Sequence, residues 1–138
     1  MPENLDVAQA ILSVPLFSSL NKKQAESLVN SGRERSFKAG EKIVNEGDTG
    51  IGFYVILGGK VEVRKGGKLL ATLGRGQYFG EMSLIDKEGR SADVVAVEAT
   101  KCLLITVWVF GALVEKNPKI ALGMLRELAA RLRAAQKS

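Results

Sequence analysis

Short apolar segments separated by turn residues occupy the sequence from Gly32 to Thr106. Glycine pairs at Gly58-Gly59 and Gly66-Gly67 interrupt these segments, so the apolar residues fall into short runs. Runs of this length, bounded by glycine and small polar residues, are typical of the strands of a β-sandwich or barrel. The predicted strands are Ile43-Val44, Phe53–Leu57, the segment containing Val61 and Val63, Lys68–Leu73, Ala92–Ala99 and Lys101–Ile105.

Two of these strands differ in their pattern. Phe53–Leu57 is apolar throughout, so we expect both faces of this strand to be buried. Val61 and Val63 alternate with Glu62 and Arg64, which indicates a strand with one inward and one outward face.

Helical patterns flank the strand-rich region on both sides. A short helix is predicted from about Glu3 to Leu12, and Asn21 with Gln24 has the spacing of a capping box for a second helix. Thr106 can cap a third helix, and Asn117-Pro118 begins the last one. The apolar residues expected to face inward are Ala25, Leu28 and Val29 in the second helix and, as one broad stripe in the last helix, Ile120, Met124, Leu125, Leu128 and Leu132.

The order of these elements predicts one domain of the α+β class, mainly β, over residues 1–138. Its expected parts are N-terminal helices in residues 1–31, a β-barrel in residues 32–106 and C-terminal helices in residues 107–138.

Several functional classes are disfavoured by residues that the sequence lacks. It contains no histidine, so we expect neither a conventional metal site nor a haem site. With no histidine base and no G-x-S-x-G motif, the sequence does not favour an enzyme. The single cysteine, Cys102, lies in an apolar run and is expected to be a buried, reduced thiol, as is usual in the cytoplasm. No apolar run reaches the roughly 18 residues that a membrane span needs.

The positive net charge of +5 is concentrated near the C-terminus. From Lys119 onward, five basic residues stand against the single acid Glu127. A basic helix can contact nucleic acid, but a solvated polar face is the commoner explanation, and no second DNA-binding element accompanies it. Nucleic acid is therefore not expected as a partner of this chain alone.

The segment Tyr78–Ala92 carries the residues that most suggest ligand chemistry. It follows the turn at Gly74 and Gly76 and contains Glu81 and, nine residues later, Arg90. A guanidinium can bind a phosphate through two parallel hydrogen bonds, whereas a carboxylate can accept hydrogen bonds from sugar hydroxyls. The combination favours a small ligand that has both groups. The alternative is an ordinary sheet corner with a surface salt bridge between the two side chains.

The order F-G-E-M-S-L, a polar connection and then R-S-A resembles the phosphate-binding cassette of the cyclic nucleotide-binding domain, here residues 78–92. Upstream, EGDTGIGFYVILGGKVEV is similar to a second signature of that family. The two signatures together carry the resemblance, and the domain that it implies covers most of the chain. The resemblance implies a jelly-roll β-barrel with N-terminal helices and with the C-terminal helices that the family calls B and C.

The resemblance also implies a role for each cassette residue. Glu81 is expected to accept a hydrogen bond from the ribose 2′-hydroxyl, and the N–H of Gly80 to help hold the sugar. Arg90 is expected to pair with the exocyclic phosphate oxygens, assisted by Ser91 and by backbone N–H groups near Ser83. Ala92 closes the cassette.

Other residues match positions that line the pocket in the family. Val63, Leu70, Leu73 and Met82 correspond to walls against the base and ribose, although packing in the core explains them equally well. Gln136 corresponds to a position that touches the base, and fraying of the chain end is its alternative explanation. One departure is Gly89, which stands where many members have proline.

The function that the resemblance implies is that of a cyclic nucleotide sensor or regulatory domain. We favour cAMP over cGMP, because R-S-A is similar to the cassette of cAMP-responsive activators, although the hydroxyl of Ser91 could meet the guanine amino group. Ligand binding is expected to move the C-terminal helices over the base, in the manner of a lid.

Two questions stay open at the level of sequence. The chain could instead be a fragment of a transcription regulator, or a DNA-associated protein of the catabolite activator type, whose barrel binds another small ligand or none. Its expected protein partner is either a second copy, paired through the leucines of the last helix, or an unknown effector protein.

Overall fold

The computed structural model describes residues 2–47, 52–80 and 92–137, and within these ranges the chain forms four α-helices and eight strands. The helices are α1 (Pro2–Leu12), α2 (Lys22–Ser31), α3 (Val107–Lys116) and α4 (Lys119–Lys137), and a 3-10 turn spans Pro15–Phe17. The strands are β1 (Arg33–Phe37), β2 (Lys42–Val44), β3 (Gly52–Gly58), β4 (Lys60–Lys65), β5 (Lys68–Gly74), β6 (Tyr78–Phe79), β7 (Asp93–Ala96) and β8 (Thr100–Thr106).

The strands form two antiparallel sheets with the orders β1-β8-β3-β6 and β2-β7-β4-β5. Strand pairs β1/β8, β2/β7, β3/β6 and β4/β5 mean that the strand region is folded back on itself around the turn at Gly66-Gly67. This long hairpin is wound into two facing sheets, which is the topology of a jelly roll. The predicted fold class is therefore confirmed, with the described strands arranged as two sheets rather than one closed barrel.

The central strands of the first sheet, β8 and β3, are covered on both faces. On β3, Phe53 and Val55 belong to a core shared with the helices, whereas Ile56 belongs to a core between the two sheets and Tyr54 packs against it. Successive side chains of a strand point to opposite faces, so this division follows from the uninterrupted apolar sequence. The predicted burial of Phe53–Leu57 on both faces is confirmed for these four residues.

The capping box predicted for α2 is present. The side chain of Asn21 accepts a hydrogen bond from the N–H of Gln24 at 2.8 Å, and the Gln24 side chain accepts one from the N–H of Asn21 at 2.9 Å. Ala25, Leu28 and Val29 are buried as expected. Two of the N–H groups that a helix start leaves unpaired are thereby satisfied.

Two features of the strands differ from the sequence prediction. The sequence did not identify β1, which reads RERSF and is mostly exposed, because it is an edge strand without an apolar face. The strand predicted as Ala92–Ala99 ends at Ala96, since the chain turns beyond it and the Thr100 hydroxyl donates a hydrogen bond to the Glu98 carbonyl at 2.8 Å.

Gly59 is required by this turn. It has a φ of +101°, and a β-carbon at this position would lie 2.6 Å from the Ala99 carbonyl oxygen. Both the left-handed backbone and the close approach exclude other residues without strain. The sequence pattern indicated only that Gly58-Gly59 interrupts a strand. Gly59 also allows its turn to pack closely against the turn at Ala99.

The apolar stripe predicted on α4 is divided between two faces. Ile120 and Met124 are buried and Leu128 packs against the same core, but Leu125 and Leu132 are each 61% exposed. The prediction of one broad inward stripe is therefore wrong for these two leucines. They lie more than 100° around the helix from Ile120, at about 100° per residue.

Cys102 is fully buried between the sheets and has no disulfide partner. Burial raises the pKa of its thiol to about 12, because the thiolate would lose its hydration. The expectation of a buried free thiol is confirmed. Among the described residues, no helix is both long and apolar enough to cross a bilayer.

Candidate functional site

The segment singled out in the sequence connects the two sheets. Its first residues form β6, an edge strand of the first sheet that pairs with β3. The chain next enters the described structure at Ala92 and continues as β7, an interior strand of the second sheet between β2 and β4. Residues 81–91 must therefore carry the chain from one sheet to the other.

Five of the predicted ligand residues lie outside the described residues: Glu81, Met82, Ser83, Arg90 and Ser91. The described chain brackets them with Gly80 and Ala92. Their predicted contacts with a ligand stay predictions, whereas the frame that positions both ends of the segment can be described.

Gly80 turns the chain at the end of β6. Its φ of +85° lies in the left-handed region, which costs an L-amino acid with a side chain roughly 1–2 kcal/mol. The chain also bends at the predicted turn of Gly74 and Gly76, where Gly76 has a φ of +86°. Gly80 fixes the direction in which the chain leaves the first sheet.

Asp93 fixes the other end. Its carboxylate accepts a hydrogen bond from the N–H of Glu46 at 2.6 Å and lies 3.4 Å from the ammonium of Lys42. These contacts lower the pKa of the Asp93 carboxyl group, with the Glu46 N–H as the largest cause. Ala92, next to it, is buried. Sequence reasoning missed this anchor, because Glu46 is 47 residues away along the chain.

The predicted wall residues lie on neighbouring strands of the second sheet. Val63 on β4 and Leu73 on β5 are partly buried and pack against the core between the sheets. Leu70, on the edge strand β5, is instead 54% exposed. Core packing therefore accounts for the first two residues but not for Leu70, whose exposed apolar surface is free of the core.

Gln136 lies in the last turn of α4, where it is exposed. It is ordered as part of a helix rather than as a separate tail. Its predicted contact with a base stays a prediction, since that contact depends on how α4 lies when a ligand is present.

A second link joins β6 to the C-terminal helices. The Tyr78 ring is buried and packs edge-to-face on Phe53 at 5.8 Å, and Phe53 packs in the same way on Phe110 of α3 at 5.3 Å. The Tyr78 hydroxyl donates a hydrogen bond to the carboxylate of Glu127 on α4. Sequence analysis had treated Glu127 only as a charge.

A groove of about 500 Å³ lies elsewhere, between α2 and α3. Trp108, which is 71% exposed, stands at this groove. None of the predicted ligand residues that the structure describes lines it. The groove is thus separate from the frame around residues 81–91.

Comparisons with known proteins point to one family. Residues 34–117, more than half of the chain, match the family described as "Cyclic nucleotide-binding domain". The chain is 37% identical over 126 residues to the "Cyclic AMP receptor protein" of Thermus thermophilus, which covers 88% of this chain and 58% of that protein. It is 40% identical over 97 residues to a "cGMP-dependent protein kinase" of Toxoplasma gondii, which covers 70% of this chain and 10% of that protein.

Among solved structures, the catabolite activator protein of Thermus thermophilus superposes with a TM-score of 0.81 at 37% sequence identity. The match covers 88% of this chain and 60% of that one. The chain thus spans less than two thirds of the length of each of these relatives.

The Asp93 anchor predicts a pH-dependent contribution to stability. Because the pKa of Asp93 is lowered on folding, its contribution is present above about pH 4 and is lost as the pH falls through the folded-state pKa. Asp93→Asn should lower the melting temperature at pH 7, and the gap from the wild type should close towards pH 3. Glu98→Gln, on the exposed turn after β7, is the matched control and should leave the melting temperature unchanged. A gap that stays constant down to pH 3 would exclude this role.

Proposed function

The chain belongs to the cyclic nucleotide-binding domain family, and we propose that it binds a cyclic nucleotide and acts as a regulatory domain. The observation that carries the proposal is the segment 81–91, which lies within the family match and joins the two sheets. Within it, Glu81 and Arg90 stand nine residues apart, at the spacing of the family's cassette. The kinase relative is matched over a tenth of its length, so it gives no reason to propose catalysis here.

In the proposed site, one charged side chain binds the phosphate of the ligand and another binds its ribose. Arg90 binds the exocyclic phosphate oxygens, with Ser91 and the backbone N–H groups near Ser83 completing their hydrogen bonds. Glu81 accepts from the ribose 2′-hydroxyl, beside the N–H of Gly80. Both contacts are charge-assisted hydrogen bonds, which are about twice as strong as neutral ones, and the phosphate contact in addition joins two opposite charges.

We propose cAMP rather than cGMP as the preferred ligand. The wall residues that the structure describes, Val63, Leu70 and Leu73, are all aliphatic, and the exposed Leu70 side chain is available to cover a base. A guanine base would need partners for its additional polar groups. The hydroxyl of Ser91 could bind the guanine amino group and is the argument for cGMP. The names of the relatives include both nucleotides.

Ligand binding is proposed to act through the C-terminal helices. Phe110 of α3 and Ile120 and Met124 of α4 all belong to the core that the helices share with the first sheet. A ligand can shift these helices only if it binds one arrangement more tightly than another. In this proposal Arg90 and Glu81 draw the segment 81–91 inward, and α4 moves so that Gln136 approaches the base.

A second copy of the chain is the partner that the surface of α4 favours. Leu122, Leu125 and Leu132 are 47%, 61% and 61% exposed. They are joined by one further exposed residue, Ala129. The spacing of these four residues alternates between three and four, as at the a and d positions of a coiled coil. This seam lies opposite Ile120, so α4 can pack on its own domain and on a partner at the same time. We propose a homodimer through this seam.

The phosphate assignment predicts the effect of Arg90→Leu. Removing the guanidinium leaves the phosphate without its charged partner, which should weaken cAMP binding by about 100-fold or more. Arg35→Leu is the matched control, because Arg35 is exposed on β1, at the opposite edge of the first sheet from β6. Calorimetric titration should find the control unchanged. Equal affinities for the wild type and Arg90→Leu would remove Arg90 from the site, and a wild type that binds neither cAMP nor cGMP would refute the proposed function.

The sugar assignment predicts discrimination against a 2′-deoxy ligand. If Glu81 reads the 2′-hydroxyl, 2′-deoxy-cAMP should bind about tenfold or more weakly than cAMP, because the carboxylate loses its partner. In Glu81→Ala the two ligands should bind alike, which separates the role of Glu81 from a general effect of the missing hydroxyl. Equal binding of both ligands to the wild type would give Glu81 a structural role.

The dimer proposal predicts the effect of a charge in the seam. Leu125→Glu should convert a dimer to a monomer in sedimentation equilibrium, because two buried carboxylates would face each other across the seam. Leu69→Glu, an equally drastic change at an exposed leucine of β5, should leave the dimer intact. A monomeric wild type would exclude this partner.

A further inference from the structure

Glu127 occupies an unusual position for a charged residue. It lies on the side of α4 that carries Ile120 and Met124, both buried in the core shared with the first sheet, because residues three, four and seven apart share a helix face. A carboxylate on a packed face needs hydrogen-bond donors to replace water. The Tyr78 hydroxyl is such a donor.

Tyr78 connects its own strand β6 with strand β3 and helix α4, which lie far apart along the chain. Its backbone pairs with Val55 of β3, its ring packs on Phe53 and its hydroxyl reaches Glu127. Through the edge-to-face contact of Phe53 with Phe110, the same aromatic cluster reaches α3. Tyr78 is therefore in contact with α4 directly and with α3 through one intervening ring.

The position of Tyr78 in the chain gives this link a direction. It stands two residues before Gly80, where the chain leaves the first sheet for residues 81–91. The strand β6 has only two residues and a single neighbour, β3. Both of its side chains, Tyr78 and Phe79, are buried, so a displacement of β6 carries the Tyr78 ring and its hydroxyl with it.

The space around the bond permits movement. A cleft of about 620 Å³ is lined by Tyr78 and Glu127 together with residues of the turn before β6, including Arg75 and Gln77. The carboxylate can therefore leave the hydroxyl for water without opening a hole in a packed core. Exchange of one partner for another costs far less than stranding a buried charge.

We propose that the hydrogen bond between Tyr78 and Glu127 couples residues 81–91 to helix α4, so that occupancy of the proposed nucleotide site determines the position of α4. The inference rests on the proposed function. Tyr78 and Glu127 are positioning residues in it: neither touches the ligand, and both transmit a displacement of β6 to the helix that carries Gln136 and the exposed leucine seam.

The bond itself is tested first, without ligand. Amide hydrogen exchange of residues 119–137 should be about five- to tenfold faster in Tyr78→Phe than in the wild type, because the helix loses one hydrogen bond to the sheet. Glu127→Gln should give a similar increase, and the double variant should exchange no faster than either single variant. Tyr54→Phe, at the other tyrosine of the chain, is the matched control and should exchange like the wild type. Unchanged exchange in both single variants would overturn the inference.

The coupling is then tested with saturating cAMP. In the wild type and in Tyr54→Phe, cAMP should change the exchange of residues 119–137, whereas in Tyr78→Phe cAMP should still bind but the change should be largely lost. Ring contacts with Phe53 are kept in Tyr78→Phe, so the variant is expected to fold. Normal binding with an undiminished change in Tyr78→Phe would refute the coupling while leaving the proposed function intact. No binding of cAMP or cGMP by the wild type would instead refute the proposed function, and the inference with it.

Discussion

Burial of the central strands of the first sheet, β3 and β8, on both of their faces is the constraint on which the rest of the structure depends. Phe53 and Val55 face the helices while Tyr54 and Ile56 face the second sheet. Burying a large apolar side chain contributes roughly 1.5–3 kcal/mol, so each layer gains stability only by keeping its contact with this sheet. The helices are therefore part of the packing that stabilises the first sheet, rather than additions to a barrel that is stable without them. They form one of the two layers that bury β3 and β8.

This arrangement also places the candidate site. The chain leaves the first sheet at β6, which is at its edge, and re-enters the second sheet at β7, which is in its interior. Gly80 sets the direction of departure and Asp93 holds the point of return against Glu46 and Lys42. Because β6 also carries Tyr78, the segment that contains Glu81 and Arg90 is connected at its start to the helical layer. The segment proposed to bind the ligand and helix α4 are thus connected through one short strand.

The sequence predicted those parts of the structure that depend on neighbouring residues. The capping box at Asn21, the turns at paired glycines and the burial of Phe53 all follow from local patterns, and all are present. The edge strand β1 was not predicted, because a strand whose side chains are mostly exposed has no apolar periodicity to detect.

Such local patterns could not predict contacts between residues that are far apart in the sequence. The hydrogen bonds from Glu46 to Asp93 and from Tyr78 to Glu127 join residues 47 and 49 positions apart, and nothing local distinguishes these acids from solvated ones. The split face of α4 was missed for a related reason, since a stripe of leucines does not reveal which members meet the sheet. The roles of Glu81 and Arg90 are predicted from the family resemblance, since both residues lie outside the described part of the chain.

A crystal structure of the chain with cAMP is the most direct test of the central claim, that residues 81–91, which connect the two sheets, bind a cyclic nucleotide. We expect the phosphate within hydrogen-bonding distance of Arg90 and the ribose 2′-hydroxyl on Glu81, with the base against Leu70. A nucleotide bound elsewhere, such as in the groove beside Trp108, or a phosphate without contact to Arg90, would contradict it.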